Sequence, residues 1–350
     1  MLLPSEGSER FNQLIEYVET MNTLNQGSGT ALFVIQHDKI VVEHYSGYHS
    51  QLSTSFPIQA DSQFNVASVR KSYIGMAVAL AVCEGKIKSI DDQVTDYLPG
   101  LDPAILGGTT IRHLLTHTHG LDVDREGNII REFIPGSSWS YRNINIELLT
   151  GLVRTVTGCT VAEILSKYVF NPLGFTETGW RAKQDERLVQ VIEDPIKPPV
   201  WKLGLNEDGD GDQKNLHVSA RELAYWGYLH LKKGNINGKQ LIPMEAVEMA
   251  TNRQSPSFPN PDLPLNGFLW FIQDGQSKLN EIGPSVPQGA FQILGVTGPL
   301  LLVIPSHELV VVRMYNKLYN YSDKTRDYLY YLREFGDKVM ECVESKGSNT

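Results

Sequence analysis

Three cysteines, Cys83, Cys159 and Cys342, are too few, and odd in number, to form a disulfide framework. The apolar helical surroundings of Cys83 and Cys159 predict buried, inert thiols. No apolar run reaches the ~20 residues of a membrane-spanning helix. The N-terminal stretch MLLPSEGSERFNQL has no basic segment leading into an apolar one, so no secretory leader is read there and a cytoplasmic location is expected. Positive charge is in deficit. The 31 Lys and Arg against 40 Asp and Glu give a formal charge of −9, which argues against nucleic acid or an anionic membrane surface as the main partner.

What is present fits a folded chain, with 41% hydrophobic and 20% charged residues. At 350 residues it exceeds the size at which one core keeps growing, so two lobes are expected. Residues 8–23 carry Phe11, Leu14, Ile15, Val18 and Met21 at helical spacing. The run ALFVIQHDKIVVEHYSG, 31–47, reads as two strands around a polar turn. Residues 72–87 are apolar on all sides, which predicts a central helix. Short helical patterns punctuated by Pro and Gly fill 100–235. After Pro264 the runs GFLWFIQD, PLLLVIP and ELVVVRMYN predict strands, and 323–345 predict a last helix. Terminal strands and helices around a helical middle imply an α/β (α+β) architecture. A sheet lobe spans about 1–65 and 264–350, and a helical lobe about 66–263. The sheet is expected to be antiparallel, with a site between the lobes.

In NVASVRKSYIGMAV, Ser68 stands three residues before Lys71, so on a helix the two share a face. A serine becomes a useful nucleophile when a neighbour accepts its proton, and a lysine serves once burial or nearby positive charge lowers its pKa. The plainer alternative is that Ser68 caps the helix and Lys71 is solvated. A second constellation lies in IPGSSWSYRNINIELL, where Tyr141 and Asn143 form a Y-x-N at the mouth of another helix. A tyrosine can shuttle a proton, although buried tyrosines more often pack with a hydrogen-bonded hydroxyl.

Five blocks in order, FNVASVRKS, GKIKSIDDQVTDYLPGL, TIRHLLTHTHGL, IPGSSWSYRNINIELL and NPLGF, resemble the serine β-lactamase-like family of class C β-lactamases, DD-peptidases, esterases and amidases. The resemblance runs from about 30 to about 316. It implies the two-lobed β-lactamase and penicillin-binding-protein-like fold and a serine hydrolase that cleaves an ester, amide or peptide of small size through an acyl-enzyme. It requires no cofactor and no metal. It implies Ser68 as nucleophile, Lys71 as general base and Tyr141 as proton shuttle, with Asn143 positioning Lys71 or the substrate. The family's third motif, K-T-G or H-x-G, aligns with FQILGVTGPLLLVIP. That puts Gly295 at the glycine, the Val296 N–H with that of Ser68 in an oxyanion hole, and Ile293 where a cation is usual. Without that cation an efficient β-lactamase is not expected.

Other readings compete. A catalytically silent binding or regulatory protein is compatible with Ile293. His113, His117 and His119 raise a metal-dependent hydrolase, but Leu121 occupies the position where the H-x-H-x-D-H pattern needs Asp. His119 replaces the serine usual in this block. In NEDGDGDQ, residues Asn206, Asp208, Asp210 and Gly211 mimic the start of a calcium loop, but His217 stands where Glu is required, so a solvated acidic loop is expected. Trp139, Trp201, Trp270 and Phe271 are candidate pocket aromatics, with packing the commoner role.

Overall fold

The structure, a computed structural model, describes residues 3–197, 203, 205, 209–275 and 277–344. Its main element is a six-stranded antiparallel sheet. The strands are β1 (Gly29–Gln36), β2 (Lys39–Gly47), β3 (Phe271–Ile272), β4 (Phe291–Leu294), β5 (Leu300–Ile304) and β6 (Leu309–Tyr315), in the spatial order β3-β4-β5-β6-β1-β2. The hairpin turn between β1 and β2 is made by His37 and Asp38, both in the left-handed region. Side chains alternate across the sheet. Leu32, Val34, Leu302 and Val311 pack toward α1 (Asn12–Leu24) and the C-terminal helix. Phe33, Ile35, Leu301 and Val310 pack into the larger core on the opposite face. Both faces are therefore covered, which is why β1, β5 and β6 are buried along their full length.

The middle of the chain supplies α2 (Arg70–Cys83), α3 (Ile144–Thr157), α4 (Ala220–Leu231) and α5 (Met244–Thr251), and the chain ends in α6 (Tyr328–Glu344). Helix α2 is buried from Arg70 to Ala81, as expected of a helix with no polar face. It packs against α3 and α5, while α4 lies on β1, β5 and β6. A second, small sheet joins Gln63–Asn65 to Leu216–Ser219, Thr178–Trp180 and Leu188–Val189, the last in parallel. It delivers the chain into the turn that precedes α2.

Three sequence expectations change. Cys83 and Cys159 are exposed, and only Cys342 is buried. Both exposed thiols sit at or beyond a helix end, where the apolar pattern no longer faces the core. The run 267–274 forms only the two-residue β3, because Leu269 is left-handed (φ +66°) and the Asn266 amide donates to the Trp270 carbonyl. The last helix starts at 328 rather than 323, since the Asp323 carboxylate accepts the Thr325 and Arg326 N–H groups and holds a turn there.

Gly75 in α2 marks a close crossing, where a Cβ would lie 2.6 Å from the Phe268 carbonyl oxygen. Backbone cannot yield as a side-chain tip can. Gly75→Ala is therefore expected to destabilise the fold by about 1–3 kcal/mol despite alanine's better helix propensity. Urea unfolding of the variant checks it, and unchanged or increased stability would contradict the packing argument.

Candidate active site

Ser68 lies in the 3₁₀ turn Ala67–Val69 at the entrance to α2. It does not cap the helix: the N-cap is Val69, with no side-chain cap bond. The preceding Ala67 is left-handed, at φ +44°, a conformation that costs a non-glycine residue about 1–3 kcal/mol unless its surroundings hold it. Here the Asn65 side-chain oxygen accepts the Ala67 N–H, and the Val66 carbonyl accepts that of Val69. The strained turn leaves Ser68 half-buried and facing a cleft of about 410 Å³, which Tyr141, Gly295 and Val296 also line.

The end of β4 touches this turn directly. A Cβ on Gly295 would sit 2.4 Å from the Val66 carbonyl oxygen, so glycine is required by packing as well as by access. The Thr297 hydroxyl donates to the Asn65 carbonyl at 2.8 Å. Ile293 is buried in the core between sheet and helices and does not line the cleft, whereas Leu294 does. Neither side chain carries charge.

Tyr141 has a side-chain hydrogen bond to Ser68, and burial of its hydroxyl raises its pKa above the ordinary phenol value. The Lys71 Nζ lies 3.7 Å from the centre of the Tyr141 ring. It has no hydrogen-bond partner among the described residues, so the expected Ser68–Lys71 bond is not made in this state. Lys71 is only 1% exposed. Burial first, then the charges of Arg70 and Lys214, push its pKa well below the ordinary 10.5, while Glu281 opposes the shift. His117 is also buried and held neutral, and it stacks on Tyr141 with ring centres 4.6 Å apart. Its Nδ1 meets the Asn145 amide, which also donates to the Leu114 carbonyl.

Asn143 is exposed and faces a narrow extension of the cleft with Ser68, Arg70, Lys214 and Val296. It makes no hydrogen bond to Lys71, which leaves the substrate side of its expected role. Among the aromatic candidates, Trp139 lines the cleft, its indole N–H donating to Asn266. Trp270 and Phe271 are core residues, and Trp201 lies outside the described residues.

The other polar motifs are absorbed locally. His113 Nδ1 accepts the Thr110 N–H and His119 Nδ1 accepts the Leu121 N–H. Burial pushes His119 down to about 3. Among the described residues no cluster of His, Cys, Asp or Glu has the geometry to hold a metal. Asp210 and Asp212 pair with Arg154, and His217 is buried in the small sheet; Asn206 and Asp208 lie outside the described residues.

Sequence reading missed Arg70, Lys214 and Glu281. The first was visible inside the SVRK run, but nothing marked it as an electrostatic neighbour of Lys71. The other two lie in loops without a motif.

The buried amine of Lys71 should cost stability. Its pKa is depressed in the folded state, so between that value and 10.5 the unfolded chain binds the extra proton, and stability rises with pH in that window. Lys71→Met is expected to stabilise the protein by about 1–3 kcal/mol at pH 7, with the gain shrinking as pH approaches 10.5. Denaturant unfolding of both proteins across pH tests this; a variant less stable at pH 7 would contradict it.

Comparison with known proteins agrees with this geometry. The Beta-lactamase family model matches residues 14–334. An uncharacterized protein of Alkalihalophilus pseudofirmus is 49% identical, over 97% of this chain and 98% of its own. The esterase EstB of Burkholderia gladioli is 28% identical over 49% of this chain and 52% of its own. A solved class C β-lactamase superposes with a TM-score of 0.75 at 15% identity, covering 98% of both chains. This chain, with its six-stranded sheet closing over the turn that carries Ser68, belongs to the Beta-lactamase family.

Proposed function

We propose that the protein is a serine hydrolase that cleaves a small ester or amide through an acyl-enzyme on Ser68. The observation that carries this is Ser68 on a strained turn, hydrogen-bonded to Tyr141, beside a buried lysine whose pKa is pushed well below its ordinary value. As Ser68 attacks the carbonyl carbon, its proton passes to Lys71, whose side chain swings off the Tyr141 ring face to take it. The carbonyl oxygen gains the negative charge and sits between the N–H groups of Ser68 and Val296. Each such donor supplies about 3 kcal/mol of transition-state stabilisation. The tetrahedral intermediate collapses as Tyr141 gives a proton to the leaving alcohol or amine, and Lys71 restores the tyrosine's proton. Water then repeats the sequence on the acyl-enzyme. Burial, then Arg70 and Lys214, lower the Lys71 pKa, an electrostatic task that a third-motif cation would otherwise share.

Ser68→Ala is expected to abolish p-nitrophenyl ester hydrolysis and the single mass adduct formed with a fluorophosphonate, while the circular dichroism spectrum stays native. An adduct retained on the folded variant would sink the assignment. No adduct on wild type would favour the non-catalytic alternative.

Ile293, at the third motif's cation position, is apolar and buried, so that position presents no cation to a β-lactam carboxylate. Nitrocefin is therefore expected to be hydrolysed at least about a hundredfold less efficiently, in kcat/KM, than a good aryl ester. Equal efficiency would overturn that view.

Rate should fall as pH drops through the depressed Lys71 pKa. Lys71→Arg should remove both the activity and that limb, since arginine does not deprotonate. An unchanged profile in the arginine variant would exclude Lys71 as the base.

A further inference from the structure

Glu281 is the acidic group of the cleft wall. It lines the same cavity as Ser68, opposite no ion-pair or hydrogen-bond partner for its carboxyl among the described residues. Burial pushes it up to about 8, and the charge that opposes this is that of Lys71. Lys71 acts as a base only when neutral, so in the working enzyme that compensation is withdrawn. Glu281 is half-buried on the cleft wall; raised in this way it keeps its proton at neutral pH unless a cation stands beside it, and a bound ammonium favours the charged form.

Aromatic rings share the wall with Lys197 and a few small or polar residues. Trp139, Tyr319 and Tyr328 line the cleft with Glu281 and Tyr141. Two of these rings already carry ammonium groups of the chain itself: Lys71 over Tyr141 at 3.7 Å, and Lys197 over Tyr319 at 4.8 Å. Lys197 is exposed at the rim and is not among the charges that act on Glu281. Aromatic faces around a carboxylate attract a cation by the ring quadrupole and by direct charge, and they take a poorly hydrated quaternary ammonium with little desolvation cost.

The geometry points to a cation subsite beside Ser68, in which Glu281 and the rings of Trp139, Tyr319 and Tyr328 hold an ammonium group carried by the ester or amide being cleaved. The inference rests on the acyl-transfer reading above. It assigns to this cleft a substrate class opposite in charge to one that presents a carboxylate.

Two matched pairs of esters test it. One places the cation on the acyl side: p-nitrophenyl 4-(trimethylammonio)butanoate against p-nitrophenyl 5,5-dimethylhexanoate. The other places it on the alcohol side: butyrylcholine against 3,3-dimethylbutyl butyrate. Within each pair only nitrogen and carbon are exchanged. In at least one pair, kcat/KM is expected to favour the cation by about tenfold or more. Glu281→Gln is expected to bring that ratio close to one.

Tetramethylammonium, against sodium at equal ionic strength, should inhibit wild-type hydrolysis of a neutral ester, a readout that survives if the variant does not fold. Turnover of the neutral esters with no cation preference and no such inhibition overturns the subsite and leaves the hydrolase reading standing. A wild-type preference that Glu281→Gln does not reduce also overturns it. Absence of turnover on all four esters, with no phosphonate adduct on Ser68, removes the hydrolase reading and the subsite together.

Discussion

The contact between Gly295 and the Val66 carbonyl sets the distance between the two parts of the molecule that carry the site. On one side is the end of a sheet strand, on the other the turn that leads into the central helix. With no side chain at 295, β4 comes within backbone contact of that turn, and Thr297 adds a hydrogen bond to the Asn65 carbonyl. The left-handed Ala67 is tolerated because these neighbours and Asn65 hold it. This approach brings Ser68 and Val296 to the same cleft. Any residue larger than glycine would push the Ser68 turn away from the end of β4.

The electrostatics are arranged around burial. Lys71 is enclosed by α2 and the Tyr141 ring, and Arg70 and Lys214 add positive charge from the neighbouring side. Burial and these charges lower the pKa of the amine at a cost in stability. His117 and Asn145 then fix the Tyr141 ring through stacking and a short hydrogen-bond chain. These two residues touch no reacting atom and serve to position the tyrosine.

The legible parts of the molecule were those in which a short run of sequence carries its own geometry. The β1–β2 hairpin could be read because a polar pair, His37 and Asp38, interrupts two β-branched runs. Helix α2 could be read because it lacks a polar face. Ser68, Lys71, Tyr141 and Gly295 stood in motifs whose order survives, and the structure gathers them at one cleft. In a strand buried on both faces, Ile293 and Leu294 are equally apolar, so the sequence could not show which face each packs on. Glu281 and Lys214 were invisible because their position depends on loops whose path is set by tertiary contacts. The thiols were misjudged for a related reason: composition around Cys83 is apolar, but the helix ends there.

The strand order has a consequence for how the protein comes into being. Strand β1 sits between β2 and β6, and the Thr30 hydroxyl bonds the Met314 carbonyl across 284 positions of the chain. The sheet is therefore completed only when Leu309–Tyr315 is available, and contacts of such long sequence separation make folding slow. Until then β1 is an uncovered hydrophobic edge, open to non-native pairing. Tyr319 and Tyr328 arrive in the same final segment as β6. A chain that has emerged as far as Ser68 and Lys71 therefore still lacks the residues that wall the cleft.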